Sequence, residues 1–211
     1  MRSKDRVSEF GEVFTSEREV NAMLDLVDVE TSRIESRFLE PACGDGNFLI
    51  EVLTRKLIAV EQYYSKNQSD FEKYSFLAIS SIYGIDLLSD NVIECRNRLT
   101  SKVYQVYEKF FKNTQCQKFK ESIKYVAEKN ILLGDALTLT LPKTSEPIIF
   151  SEWCFVGSNK VKRKDYTLNN LIAYQPFEED SLFSDLGEEA FIPVPLNSLR
   201  PTLFKEIYLA E

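Results

Sequence analysis

The 211 residues carry 44% hydrophobic and 28% charged side chains, enough to build a globular core and too apolar for a disordered tail. With 26 Lys plus Arg against 33 Asp plus Glu, the formal charge of −7 excludes a uniformly basic protein that coats nucleic acid, while leaving room for a local basic face. There are 0 histidines, which removes histidine metal sites, Ser-His-Asp hydrolysis and H-E-x-x-H proteolysis together. Ser16 followed by Glu19, with Val20, Met23, Leu24 and Val27 at helical spacing, predicts a capped amphipathic helix over about Glu17 to Val29. RFLE then predicts a short strand that Pro41 stops, and the turn PACGDG leads into a helix marked by Phe48, Leu49, Val52, Leu53 and Leu57. The polar, aromatic run EQYYSKNQSDFEKYS reads as a helix end and surface excursion before a second buried strand around Ile82 to Ile85, with Asp86 at its C-terminal end.

Ser89 is placed to cap a third helix through Val92, Ile93, Arg96 and Leu99. The segment 101–130 continues with helical spacing and holds seven lysines against three glutamates, so it reads as a solvated helical hairpin or as a surface laid against a nucleic-acid backbone. Ile131 to Leu133 predicts a third strand ending at GDAL, and Pro147 to Phe150 a fourth ending at SEWCF. Strands alternating with amphipathic helices predict an open, largely parallel α/β sheet. Beyond Phe155 the basic NKVKRKDY, the acidic PFEEDSLFSDLGEE and the proline-punctuated PVPLNSLRP predict irregular connections and one or two terminal strands.

Cys43, Cys95, Cys116 and Cys154 are scattered, which suggests neither a disulfide framework nor a zinc knuckle and fits a reducing compartment. No apolar run approaches the roughly 18 residues of a membrane span, and MRSKDRVSEF lacks a secretory pattern, so the expectation is a soluble cytoplasmic protein without a membrane partner.

The sharpest motif is FLEPACGDGNF, Phe38 to Phe48, where Gly44 and Gly46 let a turn approach a ligand and the next helix offers its electropositive end. It lacks the third glycine of the dinucleotide fingerprint, since position 49 is Leu, and it lacks the Gly-Lys-Ser/Thr of a P-loop. Asp86 at one strand end is suited to a ribose diol and Asp135 at another to an adenine amine, if the two share a crevice; taken singly, each also reads as a turn or cap residue. Glu40 has the same two readings, orienting a ligand amine or loop backbone, or simply capping its turn.

In this order the motifs resemble the S-adenosylmethionine-binding part of γ-type adenine-N6 DNA methyltransferases of restriction-modification systems, from Gly11 to about Phe155. The resemblance implies a Rossmann-like methyltransferase fold, mostly parallel with helices on both faces, in one domain over 1–211 with its cofactor-binding core in 11–155. The remaining 156–211 would be a reduced or irregular part without a target-recognition domain. It further implies that Phe14 and Thr15 approach the cofactor's methionine portion. Glu40, Ala42, Gly44, Asp45 and Gly46 would surround the cofactor, Asp86 and Leu87 would meet its ribose, and Asp135, Ala136 and Leu137 its adenine. The family's next motif is Asp/Asn/Ser-Pro-Pro-aromatic, which holds the target amine of a flipped base. Here the corresponding segment is SEWCF: Ser151 matches the first position, Glu152 and Trp153 replace the prolines, Cys154 replaces the aromatic, and Trp153 or Phe155 would stack on the base.

Three readings follow, of which the first is preferred: an altered active adenine-N6 DNA methyltransferase centred on Ser151, Glu152, Trp153 and Phe155, a noncatalytic cofactor-binding or assembly subunit, or a subunit completed by a specificity or restriction partner. Trp153 also reads as a core or lid residue, and Cys154 as a nucleophile is disfavoured because no histidine activates it. Lys160, Lys162, Arg163 and Lys164 either contact DNA phosphates or form a solvated loop. Amine methylation needs no metal, and DNA is the partner the resemblance implies.

Overall fold

The computed structural model describes residues 15–172 and 194–210, and the acidic run around 176–189 lies outside them. At the start of α1 (Glu17–Asp25), the Ser16 N–H donates to the Glu19 carboxylate at 3.0 Å while the Glu19 N–H donates to Ser16 Oγ, the reciprocal cap expected from the sequence. The helix ends earlier than its apolar spacing suggests, and α2 (Asp28–Ser32) follows. Arg55 bridges the break, its guanidinium reaching Asp25 at 2.6 Å and Asp28 at 3.6 Å.

Arg55 belongs to α3 (Asn47–Tyr64), which follows β1 (Phe38–Glu40) and buries Leu49, Val52, Leu53, Leu57 and Val60 at helical intervals. The predicted surface excursion after it is a second helix, α4 (Gln68–Ser80), capped by the Asn67 side chain and burying Phe71, Ser75, Phe76 and Ile79. Apolar residues spaced along a polar run were enough to seat it in the core. Strand β2 (Ile82–Asp86) leads to α5 (Ser89–Phe111), in which Ser89 is the first helical residue and not the cap. The helical hairpin closes with α6 (Gln117–Asn130), and four of the seven lysines of 101–130 have local partners, Lys109 on Glu61, Lys118 on Glu206, Lys120 on Gln115 and Lys129 over the Tyr125 ring.

Strand β3 (Ile131–Leu133) completes a parallel sheet in the order β1-β2-β3, with Leu39 opposite Tyr83 and Ile85 opposite Leu132. This is a mixed α/β fold with a small parallel sheet and helices around it. The extent of the parallel sheet is the main departure from expectation. The predicted fourth strand is β4 (Ile149–Val156), which runs through SEWCF without ending at Phe150 and pairs antiparallel with β5 (Lys160–Thr167) in a second sheet. Gly157, at φ +71°, makes the turn of this hairpin, so NKVKRKDY is largely a strand and not a loop.

Two short strands, β6 (Asn197–Ser198) and β7 (Thr202–Leu203), pair with β5, and a 3-10 helix (Phe204–Leu209) packs against α6. The hairpin lies over one face of the parallel sheet, where Ile148 and Phe150 pack against Tyr83, Ile85 and Leu132. Its far end joins an aromatic cluster in which Phe76 meets Trp153, Phe155 and Phe204 edge-on. Among the described residues no helix is long and apolar enough to cross a membrane.

Candidate cofactor-binding site

Three strands end on the same side of the parallel sheet, and a cleft of about 550 Å³ opens there, within the usual size of small-molecule sites. Its walls are Thr15 and Met23, the β1 end with its turn (Glu40 to Gly44), Asn47 and Phe48 of α3, Asp86 to Leu88, Asn91 of α5, and Gly134 to Leu137. The structure therefore brings together Thr15, Glu40, Ala42, Gly44, Asp86, Leu87, Asp135, Ala136 and Leu137 of the expected residues. Phe14 lies outside the described residues.

Asp45 and Gly46 shape the turn without lining the cleft. Asp45 faces Arg98 of α5, whose guanidinium reaches its carboxylate at 3.0 Å and its carbonyl at 2.8 Å. Gly46 holds φ +93°, and a Cβ there would stand 2.7 Å from Cys95 Sγ, so only glycine lets the turn settle onto α5.

Asp86 connects two walls. Its Oδ2 accepts from the Gly44 N–H at 2.9 Å, and its Oδ1 accepts from the Leu88 N–H at 2.9 Å and Asn91 Nδ2 at 3.1 Å. Asp135 Oδ1 accepts from the Leu137 and Thr138 N–H groups, which hold its carboxyl below the usual range and keep it ionised in the cleft. Burial pushes the Glu40 carboxyl upward, opposed by a bond from the Ala42 N–H. Each carboxylate thus both stabilises a turn and faces the cleft, so the two readings of these residues are compatible.

The described lining contains three carboxylates and no Lys or Arg. It suits a cationic ligand carrying hydroxyls and an amine, and it is unfavourable to a phosphorylated dinucleotide. Beyond the expected residues, Met23, Pro41, Cys43, Asn47, Phe48, Leu88, Asn91 and Gly134 also line the cleft. For Asn91 the only signal was its place in the first turn of a helix that follows a strand-end acid.

The SEWCF side chains lie elsewhere. Ser151 is buried, and its Oγ donates to Asp165 Oδ1 at 2.7 Å; Asp165 also receives a two-pronged bond from Arg163, whose Nη1 donates to the Tyr125 hydroxyl. Trp153 is in the core, with its indole N–H on Asn130 Oδ1 at 2.9 Å, and Asn130 in turn donates to the Ser80 and Ile82 carbonyls. Glu152 pairs with Arg37 at 2.6 Å on the opposite face of the hairpin; burial pushes its carboxyl up, and the bond and charge of Arg37, with the charge of Lys164, outweigh this and hold it down. Phe155 packs on Phe76 and Phe204. None of the four is among the residues that line the cleft.

Strand alternation divides the basic cluster in the same way. Lys160, Lys162 and Lys164 share the outer face of β5 opposite Val156, Cys154 and Glu152, whereas Arg163 faces inward. Lys164 is within 3.8 Å of Glu152.

The fold defines a mixed α/β domain whose cleft sits at the strand ends, where such sheets bind their ligands. A family model described as MmeI, DNA-methyltransferase domain, matches residues 15–165, and the chain belongs to that family of S-adenosylmethionine-dependent methyltransferase domains. Among curated proteins and among solved structures, none matches the chain.

Proposed function

We propose that the chain binds S-adenosylmethionine in this cleft and serves the methylation of adenine N6 in DNA, as the cofactor-holding subunit of a restriction-modification system. The observation that carries the reading is the convergence of Glu40, Asp86 and Asp135, from three separate strand ends, on one cleft in a member of a DNA-methyltransferase family. A Rossmann-like methyltransferase fold with helices on both faces is the architecture this reading carries. Asp86 takes the ribose and Asp135 the adenine amine. Glu40, with Phe14 and Thr15, meets the methionine portion, and Ala42, Gly44, Leu87, Ala136 and Leu137 form the walls. Bound there, the cofactor supplies an electrophilic methyl group on a sulfonium; the three carboxylates favour that cation.

The subunit reading is favoured over turnover by this chain alone because Ser151, Trp153 and Phe155 are engaged in the hairpin core and do not line the cleft. The amine would then be received by a specificity or restriction partner. The second reading, in which SEWCF itself receives the amine, is favoured by the extent of the family match, which runs through that segment to residue 165. Lys160, Lys162 and Lys164 are the DNA-phosphate contacts in either case, with Arg163 supporting their strand.

A methyl-transfer assay with labelled cofactor on mixed duplex DNA separates the two readings. The subunit reading expects no transfer by the isolated chain and transfer once a partner is added. Robust transfer by the chain alone, abolished by Ser151→Ala and Trp153→Ala variants that still melt cooperatively, would replace it with the second.

A further inference from the structure

A second cavity, of about 290 Å³, shares no residue with the cofactor cleft and is smaller than the usual pocket for a drug-sized ligand. One wall is Ile50 of α3, and the other is a stripe of α5 in which Asn97, Arg98, Ser101, Lys102 and Gln105 fall on one helix face. All five side chains carry N–H or O–H donors. Arg98 is held from behind, because its Nη1 pairs with the buried Asp45 Oδ1 at 3.0 Å and donates to the Asp45 carbonyl at 2.8 Å. Nε and Nη2 of that fixed guanidinium have no partner among the described residues. The Lys102 ammonium has none among them either, and the positions one turn away on α5, Arg98, Leu99, Gln105 and Val106, include no acid. Glu94 is the one acid of the lining, a turn before Arg98.

We propose that this groove is a phosphate-binding site, in which Arg98 and Lys102 meet the phosphate oxygens while Ser101, Asn97 and Gln105 supply further donors. The chemistry recognised is that of a phosphate group, carried on a nucleic-acid backbone or free in solution. A guanidinium fork with two unspent nitrogens matches it in plane, and an ammonium one turn along adds a movable charge. An anion between the two cations also relieves the repulsion of like charges four residues apart on a helix. Asp45 offsets part of the Arg98 charge and Glu94 opposes Lys102, so the groove works through convergent donors and holds a single phosphate weakly. Of the three lysines of 101–130 without a local partner, Lys102 is the one that lines this groove. The inference is independent of the cofactor reading, since groove and cleft have no residue in common.

Two-dimensional NMR of the full chain tests this with inorganic phosphate and, separately, with a short DNA duplex, each titrated at constant ionic strength. The Arg98 Nε–H and the Asn97 and Gln105 side-chain amide signals should shift saturably with at least one probe. Lys102→Glu and Ser101→Asp should each weaken that binding by about threefold or more. Shifts with phosphate and none with DNA assign the groove to a free phosphate, and shifts with DNA assign it to a nucleic-acid backbone. In the DNA case, Lys102→Glu should lower the salt slope of binding by about one, also in a Lys160→Glu, Lys162→Glu background. Absence of saturable shifts at these signals with both probes overturns the proposal, as does binding that persists unchanged in the folded variants. Ser101→Asp, at an exposed position, decides by itself if Lys102→Glu does not fold.

Discussion

At the residue scale, the contrast is between carboxylates that could be read from the sequence and an indole that could not. Asp86 and Asp135 follow short apolar runs, and a polar residue closing such a run falls at the strand end, where ligands of α/β sheets gather. Trp153 stands in a strand whose two faces both mix polar with apolar residues: Ser151, Trp153 and Phe155 share one face, while Glu152 and Cys154 share the other with Phe150, which is buried against the parallel sheet. Alternation therefore gives no signal of which face is buried, and the partner that settles it, Asn130, is 23 residues away in sequence. Replacing Trp153 by Phe keeps the aromatic packing on Phe76 and removes the donor to buried Asn130. Urea unfolding should show a loss of about 1–3 kcal/mol, with cofactor affinity changed by less than about twofold. Loss of cofactor affinity without loss of stability would instead return Trp153 to the site.

At the element scale, two connections differ from the sequence expectation for one physical reason: a charged run here is not an exposed one. The α4 helix hides a buried apolar stripe among Lys, Glu and Asp, and β5 alternates outward lysines with inward Val161, Arg163 and Asp165. Gly157-Ser158-Asn159 between two eight-residue strands is a hairpin turn whose signal is masked in the sequence by the basic run that follows it. The outward lysines carry a test. The double variant Lys160→Glu, Lys162→Glu should weaken duplex-DNA binding by about tenfold or more and lower the salt dependence, while leaving cofactor binding intact; unchanged DNA affinity in a fluorescence-anisotropy titration would remove this face from the interface.

A second element-scale expectation concerns Lys56 on α3, which is fully buried and donates to the Ile34 carbonyl at 3.0 Å, to Ser81 Oγ at 2.6 Å and to the Ser36 carbonyl, joining the helix to the segment before β1. Burial pushes its ammonium down to about 7, opposed by the nearby Glu35 and Glu30 carboxylates. The unfolded chain then binds more protons than the folded one above that pH, so this group's burden on stability is full below about 7 and is relieved as pH rises toward the unfolded value of about 10.4. Chemical denaturation should show stability rising between about pH 7 and 9, and Lys56→Met should flatten that rise. A slope of equal size in the variant would assign it to other groups.

At the scale of the whole molecule, an acidic chain with 0 histidines gathers three carboxylates in one cleft and keeps the outward lysines of β5 on a separate sheet. The cofactor half of the fold was legible because glycine turns and strand-end acids are local signals. The placement of the hairpin over the sheet face was not, because it depends on contacts of Ile148 and Phe150 with Tyr83 and Ile85 of β2, more than 60 residues earlier. Isothermal titration calorimetry of the full chain with S-adenosylmethionine tests the central claim most directly. The account predicts one saturable site, weakened by about tenfold or more in a folded Asp86→Ala variant. Folded wild-type protein that gives no saturable binding, or an Asp86→Ala variant that binds as tightly as wild type, would contradict it.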